Sequence, residues 1–102
     1  MHYVYILYSE TASKFYVGES AFPQDRLAEH NRGKYDGAST KMANDWEIKL
    51  LITCSCRKDA LKIENHIKSM KSSKFLQSLC NNTDFFSRFK EIVVEKYAIK
   101  ID

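Results

Sequence analysis

The sequence predicts a single α/β domain. Two short runs rich in β-branched and aromatic residues lie close together at the N-terminus, a third lies near the middle, and stretches of helix formers follow the second and third. At 102 residues the chain is about the size of one domain. Such a chain buries roughly two-thirds of its unfolded surface, so one modest core is expected.

Residues 2 to 8, HYVYILY, and Lys14 to Glu19, KFYVGE, flank the polar stretch Ser9 to Ser13 and read as an antiparallel hairpin. Ala21-Phe22-Pro23 introduces a first helix over about residues 22 to 32. Pro23 suits its first turn, Asp25 favours its N-terminus and Gly33 ends it. Residues 33 to 45 have no sustained period and read as a loop made basic by Lys34 and Lys41. Trp46 to Cys54 reads as a third strand and Arg57 to Lys71 as a second helix, giving the order ββαβα. Ser72-Ser73 breaks that helix and caps another through Phe75, Leu76 and Leu79, ending near Asn81-Asn82. Beyond it two readings stay open: Asp84 caps a further helix over DFFSRFKEI, or IVVEKYAIKI forms a terminal strand. The chain shows no internal repeat, low-complexity tract or linker.

Hydrophobic residues at 44%, with three Gly and one Pro, exclude a disordered or fibrous chain. Sixteen Lys and Arg against thirteen Asp and Glu give +3. A polyanionic partner fits that small excess only if positive charge gathers on one face. The start, MHYVYILYSE, lacks the features of a signal peptide, and no stretch approaches the ~20 apolar residues of a membrane span. The odd set Cys54, Cys56 and Cys80 fits reduced thiols in a cytoplasm, and no membrane partner is expected.

In the second helix Ala60, Leu61, Ile67 and Met70 recur near the helical period and mark the face turned to the core. Glu64 falls inside that stripe. It is either a solvated edge residue pairing with Lys68 at i,i+4 or a carboxylate held in a site by a cation or donors, because an unpaired buried charge is expensive. Arg26 and His30 share one helix face, where they could clamp a phosphate or lie as ordinary surface residues. Tyr5 and Tyr16 are core aromatics or phenols aimed at a reaction centre. Cys54, Cys56 and His66 supply only three potential zinc ligands, where structural zinc normally takes four.

Tyr3-Val4-Tyr5, followed after ten residues by Tyr16-Val17-Gly18, resembles the paired tripeptides that name the GIY-YIG nuclease family, with Tyr3 in place of the first glycine. Arg26-Leu27 and His30-Asn31 sit where that family has its arginine and frequently a histidine. Glu64 sits on the later helix that carries its metal-binding glutamate. The similarity runs from residue 2 to about residue 71 and is closest to the small stand-alone bacterial members, with YVYIL, YVG, RLxEHN and ALxxE in order.

The resemblance implies a small three-stranded antiparallel sheet flanked by helices, with residues 72 to 102 a helical or mixed extension of the same domain. It implies a metal-dependent endonuclease acting on nucleic acid, DNA in the first instance, with Mg²⁺ or Mn²⁺ held by Glu64. Tyr5 would take a proton from the attacking water, Tyr16 would position phosphate or water, and Arg26 would offset charge on the phosphate, with His30 assisting. Gly18 would matter where the backbone comes close to substrate or to the first helix. Independently of the resemblance, a nearly balanced chain must concentrate positive charge to hold a phosphate backbone, so Lys14, Lys34, Lys41, Lys68 and Lys71 are expected to line the approach, and a monomer is expected. Glu19, directly after YVG, departs from the small, neutral or basic residue of many relatives and adds negative charge near the phosphate path. It keeps open an alternative of another class, a nucleic-acid-binding module of this fold without turnover.

Overall fold

The computed structural model describes residues 1–33 and 43–101. The chain runs β1 (His2–Ser9), β2 (Lys14–Ser20), α1 (Pro23–Asn31), β3 (Glu47–Cys54), α2 (Arg57–Ser69), α3 (Ser73–Asn81) and α4 (Thr83–Tyr97). The three strands form one antiparallel sheet in the order β2-β1-β3. The fold is therefore the three-stranded α+β arrangement expected from the resemblance.

β1 is central, and both of its faces are covered, which explains its nearly unbroken apolar run. Strand alternation sends Val4 and Ile6 to one side, where they meet Ile52, Ala60, Ile63 and Ile67 in the larger core. Tyr5 and Leu7 go to the other side, where they pack with Trp46, Leu27 and Ile48. α1 thus lies against one face of the sheet and α2 against the other.

The helix limits follow local chemistry. Pro23 opens α1, and Gly33, at φ 68°, adopts the left-handed conformation just beyond its end. The Ser72 hydroxyl accepts from the Phe75 N–H at 3.1 Å and caps α3 as expected.

Two expectations, the burial of Met70 and the capping by Asp84, are corrected, and of the two readings left open for the C-terminal segment the helix is the one observed. Met70 is exposed at the end of α2, and Ile63 occupies the core-facing stripe with Ala60, Glu64 and Ile67, because a helix period starting at Ala60 returns at Ile63 and Glu64. The segment IVVEKY is helical, and no terminal strand occurs among the described residues. Asn82, rather than Asp84, caps α4 by accepting from Phe85 N–H at 3.0 Å. Phe85, Phe86, Phe89, Val93 and Tyr97 then follow helical spacing on the face turned to the core. Burial of that stripe outweighs the strand propensity of Ile92-Val93-Val94. After a left-handed turn at Ala98, Ile99 and Ile101 return to the larger core. No helix among the described residues is long and apolar enough to cross a membrane.

Candidate active site

The hairpin register sets Tyr5 opposite Gly18. A Cβ on Gly18 would stand 2.5 Å from the Tyr5 hydroxyl oxygen and 2.6 Å from the ring carbon that bears it. Real side chains do not approach so closely, so only glycine lets the phenol lie across β2. The close approach at Gly18 is thus to the Tyr5 phenol. Its physical reason is cross-strand pairing of a large ring with the residue opposite.

Tyr16, two residues before Gly18 on the same face of β2, brings a second phenol beside the first, with ring centroids 6.4 Å apart. From α1, His30 packs against Tyr16 with centroids 4.6 Å apart, and its Nε2 lies 3.1 Å from the Tyr5 hydroxyl. His30 is almost wholly buried. Burial lowers its pKa from the ordinary 6.5; Glu29 opposes that and neighbouring Arg26 reinforces it. A neutral imidazole results at pH 7.

Arg26 stands one turn before His30 on α1, half-exposed, with its guanidinium 3.5 Å from Glu29. The Glu29 carboxylate of this pair is mostly buried, and the guanidinium is the part that reaches solvent.

Glu64 comes from the opposite side of the sheet. It is 9% exposed within the buried stripe of α2 and lies 3.7 Å from Lys68. The i,i+4 contact with Lys68 is present, but the carboxylate is buried at the wall of a cavity rather than solvated at an edge. Burial raises its pKa, Lys68 opposes, and Glu19 adds to the rise. Glu19 itself accepts a hydrogen bond from His2 and lies 3.8 Å from Arg57. The contact with His2 was not anticipated. Knowing the register Tyr5↔Gly18 would have revealed it, because His2 and Glu19 are then diagonal neighbours on one face.

Tyr5, Tyr16, Arg26, His30 and Glu64 line one cleft of about 230 Å³, with Gly18 and Glu19 completing its wall. The cleft straddles the β2 edge of the sheet. Phenols and imidazole come from the α1 side, and the carboxylate comes from α2. Lys14, Lys68 and Lys71 lie in an adjoining groove instead. Lys34 and Lys41 lie outside the described residues.

No group of three or more His, Cys, Asp and Glu side chains suited to a metal gathers among the described residues. Mg²⁺ and Mn²⁺ take one or two carboxylates and complete their shell with water and phosphate. Glu64 has the hard anionic oxygens such an ion needs, at the wall of an open polar cleft. The zinc reading fares worse. Cys54 is buried with its thiol pushed up to about 11, chiefly by burial, and His66 Nδ1 is engaged with the Tyr97 hydroxyl at 2.8 Å.

The family model of the GIY-YIG catalytic domain matches residues 1–77, from β1 into α3. No curated protein and no solved structure matches the chain. The matched span contains the hairpin that carries both phenols, the helix that carries Arg26 and His30, and the helix that carries Glu64. The chain belongs to the GIY-YIG family, whose catalytic domains are those of nucleases.

Proposed function

We propose that this chain is a divalent-metal-dependent endonuclease that hydrolyses phosphodiester bonds in nucleic acid, DNA in the first instance. The observation that carries the reading is the meeting of a buried carboxylate, two phenols, a neutral imidazole and a guanidinium at one small polar cleft.

Glu64 would hold Mg²⁺ or Mn²⁺, which supplies positive charge to the scissile phosphate and its leaving oxygen. The chain's own residues do the rest. The Tyr5 hydroxyl passes its proton to His30 Nε2, 3.1 Å away, as it takes one from the attacking water. The water oxygen bonds to phosphorus, the bond to the leaving oxygen breaks, and the proton taken up by His30 is released through solvent to the leaving oxygen, so that water is divided between the two products. An imidazole kept neutral by burial is ready to accept that proton. Arg26 meets the phosphate with the guanidinium that reaches solvent and offsets the charge that builds there. Tyr16, against His30, orients the phosphate or the water.

Glu19 favours a second reading, a binding module without turnover, since its carboxylate adds negative charge to the cleft wall. One assay separates them. Purified protein is screened with DNA and RNA in Mg²⁺ and Mn²⁺, and cleavage should appear and fall by orders of magnitude in Glu64→Gln. Binding without cleavage under all these conditions would establish the second reading.

A further inference from the structure

We propose that the groove between β2 and the α2–α3 junction binds the phosphodiester backbone adjacent to the cleft, through Lys14 and Lys71. The inference rests on the nucleic-acid reading of the cleft and adds a second subsite to it. The groove encloses about 590 Å³, more than the cleft of about 230 Å³. Tyr16 lines both, and Lys68 lines the groove while its amine lies 3.7 Å from Glu64 in the cleft.

The chemistry of the groove is one-sided. Lys14, Lys68 and Lys71 line it, and no carboxylate does among the described residues. In a chain of net charge only +3, Lys14 and Lys71, beside a Lys68 shared with Glu64, give this concavity a local positive field suited to a polyanion. The lining is part apolar, from Phe15, Val17 and Leu76, and part polar, from Ser72 and Ser73 at the start of α3. A strand that sets phosphates against the amines and sugars or bases against the apolar part matches this division.

Lys71 itself is informative. It has φ 47°, the left-handed conformation, directly after the α2 C-cap Met70. Glycine is the residue usually found at that place, because any Cβ is strained there. Ala98 makes the same departure after α4, but Lys71 stands exposed at the groove, where a glycine would supply no amine.

The test uses fluorescein-labelled deoxy- and ribo-oligonucleotides with the full chain in EDTA, so that binding is read without cleavage. Lys71→Gly removes the amine and relieves the backbone, and it should melt at or above the parent's temperature. Combined with Lys14→Gln it should weaken binding about tenfold or more. It should also flatten the dependence of log Kd on log salt by about 1.4 to 1.8, the loss of two phosphate contacts. Lys100→Gln, at the exposed C-terminal tail, should bind like the parent. A double variant with the parent's affinity and salt slope, a Lys100→Gln loss as large as its own, or a parent that binds no oligonucleotide would overturn the proposal. Groove-dependent binding without Mg²⁺- or Mn²⁺-dependent cleavage would sustain the groove and overturn the nuclease reading. Cleavage with binding indifferent to Lys14 and Lys71 would do the reverse.

Discussion

Glu64 stands within a buried helical stripe, where an anion costs the folded state free energy. Its carboxyl is raised above the ordinary 4.5 mainly by burial, with Lys68 acting against the rise and Glu19 with it. The protonated form therefore contributes stability that is complete below the unfolded value and lost as pH rises through the higher folded value. Glu64→Gln should match the parent's melting temperature near pH 4 and exceed it at pH 7, both in EDTA, while cleavage in Mg²⁺ is lost. Equal melting at both pH values would mean that the carboxylate carries no strain in the fold. Gly18 sets a different constraint. Its missing Cβ is the space that the Tyr5 phenol occupies, with only 2.5 Å available. Gly18→Ala should cost about 1–3 kcal/mol, as overpacking usually does. It should reduce cleavage at least tenfold at a temperature where the variant is fully folded by circular dichroism, because the phenol must leave its place beside His30.

At the scale of elements, the site depends on how α1 is anchored. Its last residue, Asn31, reads the backbone of Trp46 like a strand partner. The Asn31 amide oxygen accepts from the Trp46 N–H at 2.8 Å, and its NH₂ donates to the Trp46 carbonyl at 3.1 Å. This ties the end of α1, next to His30, to the start of β3. Asn31→Ala removes both bonds and leaves two backbone groups to find other partners, at a cost of about 2 kcal/mol. Urea unfolding followed through Trp46, the only tryptophan, should show the midpoint fall with the slope unchanged. Asn31→Asp should recover part of the loss, since it keeps the acceptor and gives up the donor. A companion anchor holds the start of the same segment to the hairpin turn, where Asp45 accepts from the Ser9 hydroxyl and from the Thr11 N–H and hydroxyl.

At the scale of the whole molecule, the segment after the family match is built into the core of the matched part. Phe89, Val93, Ile99 and Ile101 share one cluster with Val4, Ile6, Ile52 and Ile63. Each such side chain is worth about 1.5–3 kcal/mol when buried. Together they approach the ~5–15 kcal/mol by which a small domain is stable at all. A chain ended after Asn82 should therefore lose cooperative thermal unfolding and bind a hydrophobic dye, although every proposed catalytic residue is retained. A truncated chain that melts sharply near the parent's temperature would show the remaining core to be sufficient.

Signals that act over a few residues were legible in the sequence. These were the hairpin, Pro23 and Gly33 around α1, the Ser72 cap, and the tripeptides with Arg26, His30 and Glu64 that led to the family and through it to the sheet. Their physics is local: dihedral preference, capping and side-chain period act between near neighbours. The fate of IVVEKY was not legible, because β-branched residues favour a strand until a core exists against which a helical stripe can be buried. Nor was the reason for Gly18, which lies in the ring of Tyr5 opposite it, or the Asn31–Trp46 pairing, which needs two distant backbones to meet. Whether Glu64 was solvated or buried could not be decided along one helix either. Its exposure and its neighbours depend on β2 and Glu19, and those are fixed in place only when the sheet and α2 pack together.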